Sequence, residues 1–335
     1  MEKKSAGERT AGGRKKRIEK LKKVINYHRY LYHVMNKEEI SQEALDSLKH
    51  ELFLLEKGNP ELITSDSPTQ RVEGGVLKGF EKAGHRFPML SIEDVFSEKE
   101  LLDWEDYLKR LVPSEKIEYF AELKIDGFAV SLIYKNGVFF RGATRGDGKT
   151  GEDITLNLKT IESIPLSLSL QESLPQNLKE IEARLNKKLK EGEIEIRGEV
   201  YMEKKDFEKF NEQRTKRGEA AYANPRNLAA GSIRQLDSKL VAQRPLKFLA
   251  YDLVSDLGQK KHSQEHQILP LLGFKTDPGE KCLGLKEAID FKSKIGKNRE
   301  KLPFQIDGIV ISVDDNAMFK KLGVAGKSPR GIRAF

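Results

Sequence analysis

A single lysine, Lys124, stands between two acids in the run Ala121–Gly127, AELKIDG, with Glu122 two residues before it and Asp126 two after. Gly127 follows at once. The alternating approach Tyr119-Phe120-Ala121-Glu122-Leu123 reads as a strand that runs into a turn. An amine at a strand end, flanked by acids, is a candidate covalent nucleophile. A lysine amine is almost wholly protonated at neutral pH, so such a role needs burial, a nearby cation or a substrate that excludes water. The competing reading is a surface lysine beside a turn, and the rest of the chain must decide.

Two further motifs offer different chemistry. Gly146-Asp147-Gly148-Lys149-Thr150-Gly151 satisfies G-x-G-x-x-G, and its Gly-Lys-Thr echoes the end of a phosphate-binding loop. A dinucleotide fold would place that run between a strand and a helix. The preceding strand instead belongs to a hairpin over Ala129–Arg145 turning on Asn136-Gly137, and the wider phosphate-loop spacing fails because residue 143 is Ala. A glycine-rich turn whose amides approach a phosphate or ribose remains. His262, Glu265 and His266 match the H-x-x-E-H of some zinc peptidases. They follow the polar Gly258–Lys261 with no obvious third ligand, so a solvated surface is expected, and the single cysteine, Cys282, offers no zinc pair. The sequence thus assigns no metal ligands.

The elements that must carry these residues can be read from periodicity. Ile18, Leu21, Ile25, His28, Tyr32 and Met35 predict one helix from Arg17, and Leu45, Leu48, Leu52 and Leu55 a second, from an N-cap at Ser41 to Gly58-Asn59-Pro60 with a left-handed glycine cap. The segment 27–34 holds more rings than a minimal helical hairpin needs. Strands are predicted at Glu193–Met202, Leu246–Leu253 and Ile306–Val313, and helices after Pro175 and around Lys205–Arg214. The order predicts a basic disordered tail over 1–16, a helical hairpin subdomain over 17–75 ending at a Gly74-Gly75 linker, and an α+β domain of antiparallel sheets with flanking helices over 76–335.

Composition narrows the class. The chain has 335 residues, 38% hydrophobic and 33% charged, with a formal charge of +8. Residues 1–23 hold ten Lys/Arg against three Glu, so the basicity is a tail rather than a face. One cysteine, no apolar run long enough for a membrane span and no apolar signal core predict a cytoplasmic protein.

The decisive pattern is spread along the chain: Lys124-Ile125-Asp126-Gly127, then Arg145, then Arg197-Gly198-Glu199-Val200, then Asp307-Gly308-Ile309-Val310-Ile311. This order resembles the covalent nucleotidyltransferases, the polynucleotide ligases and capping enzymes. The longer strings YLYHVM (30–35), ITSDSPTQRV (63–72), PMLSIEDVF (88–96), ATRGDGKTGEDIT (143–155) and ANPRNLAAGSIRQLD (223–237) resemble bacterial NAD-dependent DNA ligase, from about Val24 to Phe335. The resemblance implies a nucleotidyltransferase domain of the ATP-grasp-like ligase type behind an NMN-binding hairpin. It implies that Lys124 attacks the α-phosphorus of NAD to form lysyl-AMP and expel NMN, with Mg2+ or Mn2+ offsetting charge. Glu122, Asp126, Gly127, Arg145, Glu199, Ser91 and Ile92 match nucleotide-binding positions. Tyr251 is expected to stack on adenine or to serve as a core strand residue. Arg226, Arg234 and Arg299 match arginines that meet phosphates of NAD or nucleic acid, and Tyr32, His33 and Asp46 match NMN contacts. Nicked duplex DNA would be the partner of a complete protein, and a monomer is expected.

Departures from the pattern are specific. Gln42 and Leu45 stand where the family has an aspartate and a tyrosine, Ser312 where it has a nucleotide-contacting lysine, and Gly331 where it has a tryptophan; the family's last lysine would fall just past Phe335. Three readings follow: an adenylation region competent at most for self-adenylation, without nick sealing by this chain alone; an ATP- or GTP-using capping enzyme or RNA ligase, which the YLYHV hairpin argues against; and a descendant that binds NAD, DNA or a partner without turnover.

Overall fold

The computed structural model describes residues 11–72 and 74–335. The first ten residues of the expected basic tail lie outside the described residues, and from Ala11 the chain is already helical, six residues before the expected start. Helix α1 (Ala11–His33) and helix α2 (Gln42–Lys57) close on each other through Ile18, Leu21, Ile25, Leu45 and Leu52. Ser41 caps α2, its hydroxyl accepting the Ala44 amide at 3.3 Å. Gly58 ends α2 in the right-handed region (φ −81°), not the left-handed cap expected. Arg17 grips Glu51 with two parallel bonds of 2.9 and 2.7 Å, fixing the register of the pair.

Twelve strands follow: β1 (Lys82–Gly84), β2 (Tyr119–Ile125), β3 (Phe128–Lys135), β4 (Val138–Thr144), β5 (Thr150–Glu152), β6 (Glu193–Met202), β7 (Leu246–Leu253), β8 (Glu280–Cys282), β9 (Ile306–Val313), β10 (Val324–Ala325), β11 (Ser328–Pro329) and β12 (Ile332–Ala334). Between them lie α3 (Glu98–Leu111), α4 (Thr155–Lys159), α5 (Lys179–Glu191), α6 (Lys204–Lys216), α7 (Pro225–Ile233), α8 (Ser238–Ala242), α9 (His262–Leu271), α10 (Leu285–Asn298) and α11 (Asn316–Leu322). Two four-stranded sheets dominate, ordered β12-β9-β2-β8 and β4-β3-β6-β7, with every strand pairing antiparallel. This is the expected α+β architecture. The β3–β4 turn has positive φ at Asn136 (51°) and Gly137 (75°), the geometry that Asn-Gly supplies cheaply.

Alternation along the strands assigns each face. Tyr119, Ala121 and Leu123 of β2, with Ile309, Ile311 and Val313 of β9, pack outward against Trp104, Leu108 and Phe291 of α3 and α10. Val200, Met202, Phe248 and Ala250 face the second core, under α5, α7 and α9. The opposite faces carry Phe120, Glu122 and Lys124 on one sheet and Arg197 and Glu199 on the other. Polar residues have been kept on these two faces.

The hairpin docks on the body through buried charge. Arg71 donates to the carbonyls of Lys159, Ile161 and Ile164, each at 2.8 Å. Arg29 pairs with the Glu162 carboxylate at 2.8 Å and also donates to the Glu162 carbonyl. Burial, then Arg29, lowers the Arg71 guanidinium to about 9. Burial works against ionised Glu162, but Arg29 and Arg71 together outweigh it and hold the carboxyl at about 2. Breaking one partner would strand a charge in low dielectric, so the joint is specific.

Candidate active site

Lys124 sits where β2 leaves its regular pairing: the register with β9 shifts between Lys124 and Ile125, and Lys124 lies opposite Gly308. Its Nζ is 2.5 Å from Asp307 Oδ2. The turn after it must be glycine. A Cβ on Gly127 would stand 2.5 Å from the Val200 carbonyl and 2.7 Å from Glu199 Cγ, so only a bare backbone lets the turn press onto β6. That contact between two sheets brings Glu199 to Lys124. Burial pushes the Glu199 carboxyl up to about 8, while Arg226, Arg145 and Lys124 pull it down and Asp307 pushes it further up. Asp126 is held by Arg226 at 3.5 Å and donates its amide to the Gln305 carbonyl. Lysine, three acids and two arginines thus share one mouth between the sheets.

The glycine-rich run joins β4 to β5 and passes into that strand rather than opening a helix, α4 beginning only at Thr155, which removes the dinucleotide-fold reading. Gly146 (φ 56°) and Gly148 (φ 90°) take left-handed conformations, and Asp147 Oδ1 accepts the amides of Lys149 and Thr150 at 2.9 and 2.7 Å. Arg145, at the head of this turn, is exposed. Arg234 is paired with Glu152 at 2.7 Å. Arg299 donates to the Ile306 carbonyl at 2.7 Å, so it steadies the strand start next to Asp307. Ser91 and Ile92 lie on a segment tied at one end to Gly148, by the Met89 amide, and at the other to Ala334, by the Val95 amide. Arg197 holds the residues just before that segment, donating to the carbonyls of Phe87 and Pro88 at 2.5 and 3.1 Å.

Two residues inward from Lys124 on the same face, Glu122 is buried and meets α9. His266 Nε2 is 3.0 Å from Glu122 Oε2, and His262 Nε2 is 3.4 Å from Glu122 Oε1. This corrects the solvated-surface reading of His262-x-x-Glu265-His266: Glu265 and His266 are buried and His262 is half-buried. The i, i+4 spacing of the histidines was the only local sign. Tyr251, half-buried on β7, lies near both acids; burial raises its phenol far above its ordinary value, and Glu199, then Asp252, raise it further. Ser312, opposite Phe120 on the neighbouring strand, is buried with its hydroxyl unpartnered.

Tyr32 and His33, at the end of α1, line a cavity of ≈ 270 Å³ together with Asn36, Lys247, Phe248 and Lys275. Burial, then Arg29, depresses His33 to about 3, so it is neutral there. Asp46 is not part of that lining; it is exposed on α2, 3.5 Å from Lys49. Leu45 turns into the hairpin core and Gln42 stays exposed, 3.4 Å from Glu38.

Comparison with known proteins now decides the family. Residues 77–335 match the NAD-dependent DNA ligase adenylation domain, and residues 12–73 match the DNA ligase-like N-terminal NAD+-binding domain. The chain belongs to the NAD-dependent DNA ligase family. It is 43% identical over 320 residues to a DNA ligase of Halothermothrix orenii, covering 95% of this chain and 45% of that protein. It is 44% identical over 324 residues to DNA ligases of Bacillus thuringiensis and Bacillus cereus, covering 96% of this chain and again 45% of theirs. The chain therefore spans about half the length of these ligases, and carries their adenylation domain. Among the described residues no helix is long and apolar enough to cross a membrane.

Proposed function

We propose that this chain adenylates itself from NAD: Lys124 Nζ attacks the α-phosphorus, a lysyl-AMP phosphoramidate forms, and NMN leaves. The observation that carries the reading is the Lys124–Asp307 pair beside Glu199, Arg145 and Arg226. Asp307 is within reach to take the ammonium proton. Arg145 and Arg226 meet phosphate charge, Glu199 holds the ribose through its protonated carboxyl, and Tyr251 offers a ring face to adenine. Glu122, Ser91 and Ile92 complete the nucleotide's surroundings, and Gly127 lets Lys124 and Asp126 approach β6. Arg234 and Arg299, already paired, act by positioning. Tyr32 and His33, which line the cavity at the end of α1, hold the NMN half, and Asp46 on α2 stands outside that lining.

The carboxylate oxygens of Asp307 suit a hard divalent cation, magnesium or manganese, which when bound would offset phosphate charge. Transfer of AMP to a 5′-phosphate at a DNA nick is the step that would follow; we place the protein in the cytoplasm, as a monomer. A second reading, a weakened nucleotide binder, draws on Ser312 and on Glu122 being engaged by two histidines.

Intact-protein mass after incubation with NAD and magnesium tests both. Gain of one AMP, mapped to the peptide holding Lys124 and lost in Lys124→Ala, supports adenylation. An adduct on another lysine overturns the assignment, and NAD binding without any adduct favours the second reading.

A further inference from the structure

We propose that Glu122, His262 and His266 form a site for a transition-metal dication of the zinc class, set in the floor of the cleft behind Lys124. Their ligating atoms lie within 4.8 Å of one another. Two imidazole nitrogens and one carboxylate are a donor set suited to zinc rather than to magnesium, which prefers oxygen. Three protein ligands leave a fourth position open.

The hydrogen bonding of the cluster points to a missing central atom. Glu122 Oε2, His262 Nε2 and His266 Nε2 are each buried without a hydrogen-bond partner. His266 Nε2 and Glu122 Oε2 are close, at 3.0 Å, yet not aligned for a shared proton. Glu122 is 5% exposed and His266 9%, so water does not satisfy these atoms freely. A cation at their common focus would satisfy all three together.

The outer contacts agree. His262 Nδ1 meets Glu265 Oε2 at 3.1 Å, and His266 Nδ1 faces Asp277 Oδ1 at 3.7 Å, near enough for charge attraction though not hydrogen-bonded. Such partners fix ring orientation and tautomer in metal centres. They are themselves anchored, Glu265 by Asn316 Nδ2 at 2.8 Å and Asp277 by the Leu123 amide at 2.5 Å. Phe120 closes one side, its ring 4.5 Å from that of His266 and 5.4 Å from that of His262. The H-x-x-E-H spacing places both histidines on one face of α9, and β2 supplies the third ligand from far along the chain. Because Glu122 and Lys124 share a face of β2, the ion would lie about 7 Å along the strand from the nucleophile. It would lock β2 to α9 and set a positive charge beneath the nucleotide.

The test is metal binding by the full chain, stripped with a chelator and titrated with Zn2+ alone and with Co2+ alone. One equivalent is expected, with the intense visible absorption of a low-coordinate cobalt site and a higher melting temperature with zinc. His266→Ala and His262→Gln should each weaken binding at least a hundredfold, and Glu265→Gln roughly ten- to a hundredfold. Lys124→Ala should bind as the original does, which separates this outcome from any failure of adenylation. Absence of stoichiometric binding, or histidine variants that bind unchanged, would overturn the site. Should His266→Ala not fold, His262→Gln still decides, since that side chain is 16% exposed and tolerates a polar replacement.

Discussion

Lys124 Nζ and Asp307 Oδ2 are 2.5 Å apart, joining the end of β2 to the start of β9 across the one place where the two strands slip register. The pairing orients the amine and supplies an acceptor for the proton it must lose. Asp307→Asn keeps the shape and removes the acceptor. Single-turnover adenylation should fall by roughly 10²- to 10⁴-fold with little change in the NAD concentration needed. An unchanged rate would reduce Asp307 to a surface partner of the lysine.

Gly127 is the second geometric control. In Gly127→Ala the new methyl meets the Val200 carbonyl and Glu199 Cγ, both backed by β6. Overpacking of that kind costs about 1–3 kcal/mol, and here it also separates Lys124 from Glu199. Thermal melting should show the loss of stability, and adenylation should fall more than stability alone explains. A variant with wild-type melting and labelling would mean the turn has slack that its contacts deny.

Much of this frame is legible in the chain. Strand β6 falls where alternation puts it, β7 and β9 where apolar runs predict buried strands, and Asn136-Gly137 turns the hairpin. Lys124 is readable because K-x-D-G is local and its distant partners recur in order. The Glu122–His262–His266 cluster is not, because its charged neighbours Lys260 and Lys261 suggest solvent, while burial comes from β2, some 140 residues earlier. Gly58 shows a smaller failure: glycine permits a left-handed cap but does not compel it. The helix start at Ala11 was hidden by Gly12, Gly13 and a run of charges, poor local formers that α1 nonetheless absorbs.

The joint between hairpin and body should respond to pH. His33 is held at about 3 against an ordinary 6.5. Between those values the unfolded chain binds more protons, so stability falls as pH drops from about 6.5 toward 3. Glu162, held at about 2 against an ordinary 4.5, adds its own loss only below about 4.5. Between 6.5 and 4.5 the Glu162 loss is absent, while Glu199, Asp252 and Asp277, raised by burial to about 8, 6 and 7, add an opposite slope common to any His33 variant. Urea midpoints across this window should therefore lose more with falling pH in the original chain than in His33→Gln, and an equal slope in both would remove His33 as the cause.

Ser312 shows what the cleft has exchanged for the lysine its family pattern expects. It is 3% exposed, and its hydroxyl is unpartnered on the face it shares with Phe120, whose ring already packs on His266. An added lysine would crowd Glu122, which already has two histidines beside it. Ser312→Lys alone should therefore lower the melting temperature, since overpacking costs about 1–3 kcal/mol, and should not speed adenylation. With His266→Ala in the same chain the space opens for the lysine side chain. Adenylation should then rise roughly 10- to 1000-fold over His266→Ala alone, if the ammonium meets charge that develops in the transition state. Single-turnover labelling with melting curves for the three variants distinguishes these effects. Faster labelling by Ser312→Lys alone, at full stability, would show that the histidines do not occupy the lysine's place.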